Sequence, residues 1–285
     1  MRNVTVAATQ MVCEDDLDAN IGRAELLVEQ AANKGANIVL LQELFHAPYF
    51  CKEQTTKHFA MAKPFKNNPL IEHFQQISRK HNVVLPLSFF ELEGNRQFNS
   101  LAMIDADGST LGLYRKSHIP DGPGYQEKFY FSPGNTGFKV WDTRFGRIGA
   151  GICWDQWFPE SARSMALLGA EILMYPTAIG SEPPTPEYDS SAHWQNVMCG
   201  HAGANLMPLL ASNRIGTETA DNGTQVTFYG CSFISDWCGN KVAVADRQSE
   251  TVLTSSFDLD EIAETRRAWG VFRDRRPELY SALVE

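Results

Sequence analysis

Several things are scarce in this sequence, and each shortage removes a class of function. There is no run of basic residues, and 25 Lys and Arg against 34 Asp and Glu give a formal charge of −9. That argues against a nucleic-acid partner, which would need a cationic face. A neutral or cationic small molecule suits such a chain better. No apolar stretch is long enough to span a bilayer, so no membrane partner is expected. The cysteines, Cys13, Cys51, Cys153, Cys199, Cys231 and Cys238, are scattered and form no CxxC pair. His118, His193 and His201 fit no common ligand spacing, so neither a metal nor a cofactor is expected. With no signal-peptide pattern either, the expected setting is the reducing cytoplasm. Low-complexity linkers are missing too, and residues 1–285 are expected to form one domain.

What is present is an alternation of apolar runs and amphipathic segments. Residues 4–9 predict a strand, and Asp18 is a candidate cap for a helix burying Ile21, Ala24, Leu27, Val28 and Ala31, stopped at Gly35. The continuous run Ile38–Leu41 predicts a strand covered on both faces. A helix is expected over 69–80, then a strand over 83–90, where Pro86 argues against a central position. Strands 98–104 and 110–114 read as a hairpin, followed by a long Pro- and Gly-rich loop over 117–136. Strands are expected at 138–141, 147–152, 171–175, 208–212, 227–234, 242–245 and 251–257. Helices are expected over 159–168, 190–205 and 258–268, with a further proline-bearing loop over 177–187. Two mixed sheets with helices outside, a four-layer αββα sandwich of the α/β class, would satisfy this burial pattern.

Polar residues stand where three apolar strands run out: Glu43, Lys116 and Cys153. Ligands collect at such carboxyl ends in open α/β sheets. Cys153 lies between the small-residue run Arg147–Ile152 and a helix opened by Pro159, which resembles a nucleophile elbow. If the ends converge, Glu43 supplies a base, Lys116 a cation for an oxyanion, and Cys153 a nucleophile. Singly, each has a plainer reading: a cap, a solvated strand end, a buried thiol.

The motifs settle the comparison. Leu41-Gln42-Glu43-Leu44-Phe45, Tyr114-Arg115-Lys116-Ser117-His118-Ile119-Pro120, Glu127-Lys128-Phe129-Tyr130-Phe131-Ser132-Pro133-Gly134 and Gly151-Ile152-Cys153-Trp154-Asp155 stand in family order. Over nearly its full length the sequence resembles the nitrilase, or carbon–nitrogen hydrolase, superfamily. The resemblance implies the αββα fold, a Glu43–Lys116–Cys153 triad, and a second glutamate at Glu127 that by itself reads as a surface charge. It also implies a homo-oligomer, dimer or larger; the tail from about 270 to 285, charged and without a clear core face, is a candidate for packing on a neighbouring subunit or wrapping its own.

Further segments, Tyr175–Pro183, Gly200–Asn205 and Ala211–Gly216, resemble superfamily members acting on a carbamoylated diamine. They imply a small cationic ureido substrate and a thioester-type covalent intermediate, with ammonia, carbon dioxide and the amine as products. A charge argument agrees. Trp154-Asp155-Gln156-Trp157 offers no arginine beside the nucleophile for a substrate carboxylate. A cationic tail would instead meet Glu182, with Asp155 or Asp121 as alternatives, and Tyr49, Tyr130 and Trp154 lining the methylene path. Glu182 has a competing reading as a solvated loop charge, and Asp155 as a structural cap. Arg214 remains a candidate partner for a carbamoyl acid, so such an acid or an ω-amide is the alternative substrate. A non-catalytic binding protein on the same fold is the alternative of a different class.

Overall fold

The structure is a computed structural model that describes residues 1–185 and 187–284; Pro186 and Glu285, part of the expected proline loop and tail, lie outside the described residues. Two mixed sheets pack face to face. In the first, β1 (Asn3–Val12) pairs in parallel with β2 (Ile38–Leu40), and antiparallel with β14 (Thr251–Asp258). A bridge between Ile38 and Val84 carries the sheet on to β3 (Leu85–Glu93), then β4 (Arg96–Ile104) and β5 (Thr110–Arg115). At the far end of β1 the hairpin β10 (Arg214–Thr219) and β11 (Gln225–Tyr229) is attached. The second sheet runs β13 (Lys241–Val244), β12 (Phe233–Ser235), β9 (Leu209–Ser212), β8 (Ile172–Pro176), β7 (Gly146–Ala150), β6 (Val140–Thr143).

The period-two alternation of β1 shows why there are two cores. Val4, Val6 and Ala8 point between the sheets, where they meet Ile148, Ala150, Met174, Leu210 and Ile234. Ala7 and Met11 point outward, onto Ala24, Leu27, Val28 and Ala31 of α1 (Leu17–Asn33) and Ile71, Phe74 and Ile77 of α2 (Pro69–His81). On the other side α3 (Pro159–Leu167) and α4 (Ser191–Asn205) cover Leu173, Tyr175, Leu209 and Ala211. The layers are therefore helices, sheet, sheet, helices, an α/β sandwich, with α5 (Leu259–Trp269) closing one end through Leu259 and Ile262.

Local signals account for most element ends, with some corrections. The cap of α1 is Asp16 rather than Asp18: its carboxylate accepts from Asp18 N (3.0 Å) and Ala19 N (3.1 Å). Asn68 caps α2, with Pro69 in the first turn, and Asp258 caps α5. Pro86 is tolerated because, between the Ile38–Val84 bridge and the Lys63–Glu91 bridge, β3 pairs only with β4. Strand 227–234 is not continuous. Gly230 and Cys231 take positive φ (58° and 56°), and the chain leaves β11 for β12 in the other sheet. β10 was not anticipated, because its buried members include Arg214 and Glu218 and leave no apolar alternation to read. The β3–β4 hairpin also went unread, its turn being Gly94-Asn95.

Gly149 of β7 lets the nucleophile strand lie against α3. A Cβ there would stand 2.9 Å from Met165 Cβ and 3.1 Å from Ala170 Cβ. Gly149→Val is expected to cost about 1–3 kcal/mol through overpacking. The effect is read as a lower urea midpoint at unchanged slope; an unchanged midpoint would show that the strand–helix gap is looser than this.

Candidate active site

The ends of β2, β5 and β7 meet at one buried point. Just past β2, Leu44 takes φ +48°, a conformation uncommon for a residue with a Cβ. The turn holding Glu43 is pinned on both sides: Leu44 N donates to Ser88 Oγ (3.0 Å) and Glu43 N to Thr177 O (3.4 Å). Lys116 follows β5 directly, and its backbone N–H donates to Asn99 O (2.9 Å). Cys153 begins a 3₁₀ turn, Cys153–Trp157, with φ +43°, before α3 starts. Such a turn lifts one side chain off the sheet edge.

The side chains then converge. Lys116 Nζ donates to Glu43 Oε1 (2.8 Å) and Glu127 Oε2 (2.6 Å), and all three residues are fully buried. Asn99 Nδ2 donates to the same Glu43 oxygen (2.7 Å), and Tyr49 OH to Glu127 Oε1 (2.7 Å). Glu43 Oε2 has no protein partner and stays available as a proton acceptor. Cys153 is 6% exposed, with Sγ 3.7 Å from Ala178 O.

The electrostatics follow from two carboxylates around one ammonium in a buried site. Burial pushes the Cys153 thiol well above its ordinary value; Glu43 and Glu127 add to the rise and Lys116 opposes it. The resting nucleophile is therefore a neutral thiol that needs a base at the moment of attack. Burial raises Glu127 to about 7, against the pull of Lys116. For Lys116, burial works toward neutrality, but Glu127 and Glu43 outweigh it and keep the ammonium charged.

Asp155 holds the elbow from below. It is fully buried and accepts from Ile152 N (2.9 Å), Tyr114 OH (2.7 Å) and His118 N (3.0 Å), with His118 Nδ1 at 2.7 Å. These bonds tie the turn of Cys153 to the segment that leaves Lys116.

A cavity of about 360 Å³ opens over this point. Cys153, Glu127, Tyr49, Trp154, Asp121 and Glu182 all line it. Lys116 and Glu43 lie one and two hydrogen bonds behind Glu127. Two of the substrate-contact expectations fail. Asp155 is absent from the lining, since its oxygens are consumed beneath the elbow. Tyr130 is buried in an aromatic cluster with Phe50, Phe59 and Phe131, its hydroxyl donating to Glu53 O (2.8 Å). Arg214 is excluded as a substrate partner: it is fully buried and donates to Glu43 O, Ala47 O and Glu218.

Sequence reasoning missed Tyr125, Trp157 and Tyr188, which line the cavity together with His193. Tyr125 OH accepts from Gly180 N (2.9 Å) and donates to Ser181 O (3.1 Å), bracing the segment that carries Glu182. The long proline- and glycine-rich loop was the available signal for it. Glu182 is half-buried and forms no ion pair among the described residues; burial raises its pKa. Those residues contain no group of His, Cys, Asp and Glu suited to a metal ion.

Comparison with known proteins places this geometry. A family model described as carbon-nitrogen hydrolase matches residues 5–267. The chain is 58% identical to the N-carbamoylputrescine amidase of Arabidopsis thaliana, over 99% of this chain and 96% of that protein. It is 56% identical to a citrullinase of Francisella tularensis subsp. tularensis, over 100% and 99%. Among solved structures, a carbon-nitrogen hydrolase from Helicobacter pylori G27 superposes with a TM-score of 0.93 at 38% identity, covering 99% of each chain.

A neutral resting thiol has a direct signature. Difference ultraviolet titration of the protein against Cys153→Ala is expected to show no thiolate absorbance at neutral pH, with the step above the ordinary cysteine range. A thiolate step below neutrality would mean that Lys116, not burial, dominates the field at sulfur.

Proposed function

The chain belongs to the carbon–nitrogen hydrolase family, and on that footing we propose that it hydrolyses the ureido group of N-carbamoylputrescine to putrescine, carbon dioxide and ammonia. The observation that carries the substrate is the charge of the cavity. Glu182 and Asp121 line it, and no lysine or arginine does among the described residues. An ammonium tail would supply the ion partner that Glu182 lacks. Two curated relatives from plants, at 57–58% identity, bear the name of this amidase.

The proposed chemistry uses the geometry as it stands. Glu43 Oε2 takes the thiol proton as Sγ attacks the ureido carbon. Lys116 and the backbone N–H of Trp154 receive the charge that develops on oxygen. The C–N bond to the terminal nitrogen breaks, the proton returns to that nitrogen, and ammonia leaves. The enzyme then carries a thiocarbamate on Cys153. Water activated by Glu43 cleaves the C–S bond and restores the thiol, and the released carbamic acid loses carbon dioxide to give the amine. Glu127, held by Tyr49, keeps Lys116 in place throughout.

A second reading has one specific observation behind it, the citrullinase at 56% identity. Citrulline offers the same ureido group, with an α-ammonium and an α-carboxylate at the far end. The cavity can take the ammonium as before. For the carboxylate, His193 is the one lining residue able to carry positive charge among those described. With Arg214 occupied elsewhere, a carbamoyl acid finds little to hold it.

No described helix is long and apolar enough to cross a membrane. The cysteines are all unpaired, which supports a reducing, cytoplasmic setting. Exposed Trp269, Leu279, Leu283 and Val284 near the chain's end support a homo-oligomer in which the tail meets a neighbouring copy. We read the whole chain as one carbon–nitrogen hydrolase domain.

Ammonia release is measured from N-carbamoylputrescine, citrulline, N-carbamoyl-β-alanine and a neutral ω-amide at equal concentration. Preference for the putrescine derivative is expected, with Cys153→Ala folded and inactive. Glu182→Gln is expected to raise KM for that substrate by about 10- to 100-fold, the worth of one charge-assisted bond, and to leave the neutral amide unchanged. Preference for a carbamoyl acid, or equal loss on both substrates, would overturn the Glu182 assignment.

A further inference from the structure

The hydrogen bonds of the site close into a ring, only half of which can touch substrate. From Glu43 one path runs through Lys116 Nζ (2.8 Å) to Glu127 (2.6 Å), and on to Tyr49 OH (2.7 Å). The other path leaves by the backbone. Glu43 O accepts from Arg214 Nη2 (2.7 Å), and Arg214 Nη1 donates to Glu218 Oε1 (2.8 Å). Glu218 Oε2 then accepts from the backbone N–H of Tyr49 (2.6 Å). Glu43 and Tyr49 thus start and end one loop whose side chains grip Lys116 from two sides, while Arg214 and Glu218 tie its backbone together.

We propose that the buried Arg214–Glu218 pair is a positioning device for the reaction, setting Glu43 against the thiol and Tyr49 against Glu127. The inference rests on the hydrolase reading, but not on the identity of the substrate. Arg214 is fully buried and Glu218 is 8% exposed, so holding them there has a desolvation cost that a simple loop anchor does not require. Arg214 also donates to Ala47 O (3.2 Å) and Leu44 O (3.3 Å), so its guanidinium is spread along the loop rather than offered to the cavity. Lys52 completes the array, with Nζ 3.3 Å from Glu218 and 3.1 Å from Tyr49 O. Three carboxylates, Glu43, Glu127 and Glu218, are matched by three cations, Lys52, Lys116 and Arg214. Arg214 and Glu218 lie in β10, so a strand of the first sheet reaches the active site without contributing a lining residue.

The test is a double-mutant cycle on the full chain with Glu218→Gln and Tyr49→Phe, reading kcat and KM separately. Each single variant is expected to lower kcat by about 10- to 100-fold with KM little changed. The double variant should fall by clearly less than the product of the two single losses, because both act in part through the Tyr49–Glu127 bond. A second readout is the acid limb of kcat. Glu127 is faced by Lys116, Glu43, Tyr49, Cys51 and Cys153, and the Tyr49 bond holds its pKa down. Both variants should therefore move that limb to higher pH. Arg214→Lys serves if Glu218→Gln does not fold, and is expected to show the same non-additivity with Tyr49→Phe. The rate of Cys153 alkylation by iodoacetamide gives the same comparison without a substrate, so an inactive wild type would count against the functional reading alone. Multiplicative losses, an unmoved acid limb, or a lowered melting temperature with kcat intact would overturn the proposal and leave the pair a structural anchor.

Discussion

One ammonium held between two carboxylates, all three fully buried, is the interaction on which this structure depends. Lys116 cannot be buried alone: an unpaired ammonium in such a place costs several kcal/mol. Glu43 and Glu127 offset that cost, the first from 73 positions away in sequence and the second from the loop that follows Lys116. The three can meet only if the ends of β2 and β5 and the long loop over 117–136 are brought to one point. Removing one partner of a buried pair of this kind typically costs about 3–5 kcal/mol. The array is therefore both a catalytic centre and a lock on the loops around it.

The same charge balance decides the state of the nucleophile. Two carboxylates against one lysine leave the neighbourhood of Cys153 unfavourable for a thiolate, and burial adds to this. A preformed thiolate would need a more cationic site. What the geometry offers instead is a carboxylate oxygen without a partner, Glu43 Oε2, so that deprotonation and attack go together. Asp155 serves that arrangement mechanically. By bonding Ile152 N, Tyr114 OH and His118 N together, it fixes the elbow to the strand that presents Lys116.

Much of this was legible in the sequence, for reasons that differ by residue. Glu43, Lys116 and Cys153 could be picked out because each ends an apolar run, and a strand's end is where a parallel sheet exposes its chemistry. The αββα layering followed from continuous apolar strands between amphipathic helices. Glu127 was not legible from pattern: it sits on a single 3₁₀ turn in a long loop, and only the resemblance to a family set it apart. Tyr130 was misplaced, and Asp155 kept two readings of which the structural cap is the one found, because an aromatic or acidic residue near a nucleophile looks the same from sequence whether it faces the cavity or the core. Arg214 misled for a related reason. It stood in no expected strand and was named only as a substitute for the arginine missing beside the nucleophile, while its actual partners are Glu218 and backbone carbonyls of a loop about 170 positions away in sequence. Long-range backbone contacts of that kind leave no local periodicity.

The account stands or falls on whether Glu43 activates a neutral thiol. The most direct measurement is the pH dependence of Cys153 alkylation by iodoacetamide in the wild-type protein and in Glu43→Gln. The wild type should react readily at neutral pH, and Glu43→Gln should react slowly there and recover only in alkaline solution, as the thiol ionises without help. Superimposable profiles for the two proteins, both following the thiol's own ionisation, would contradict the account.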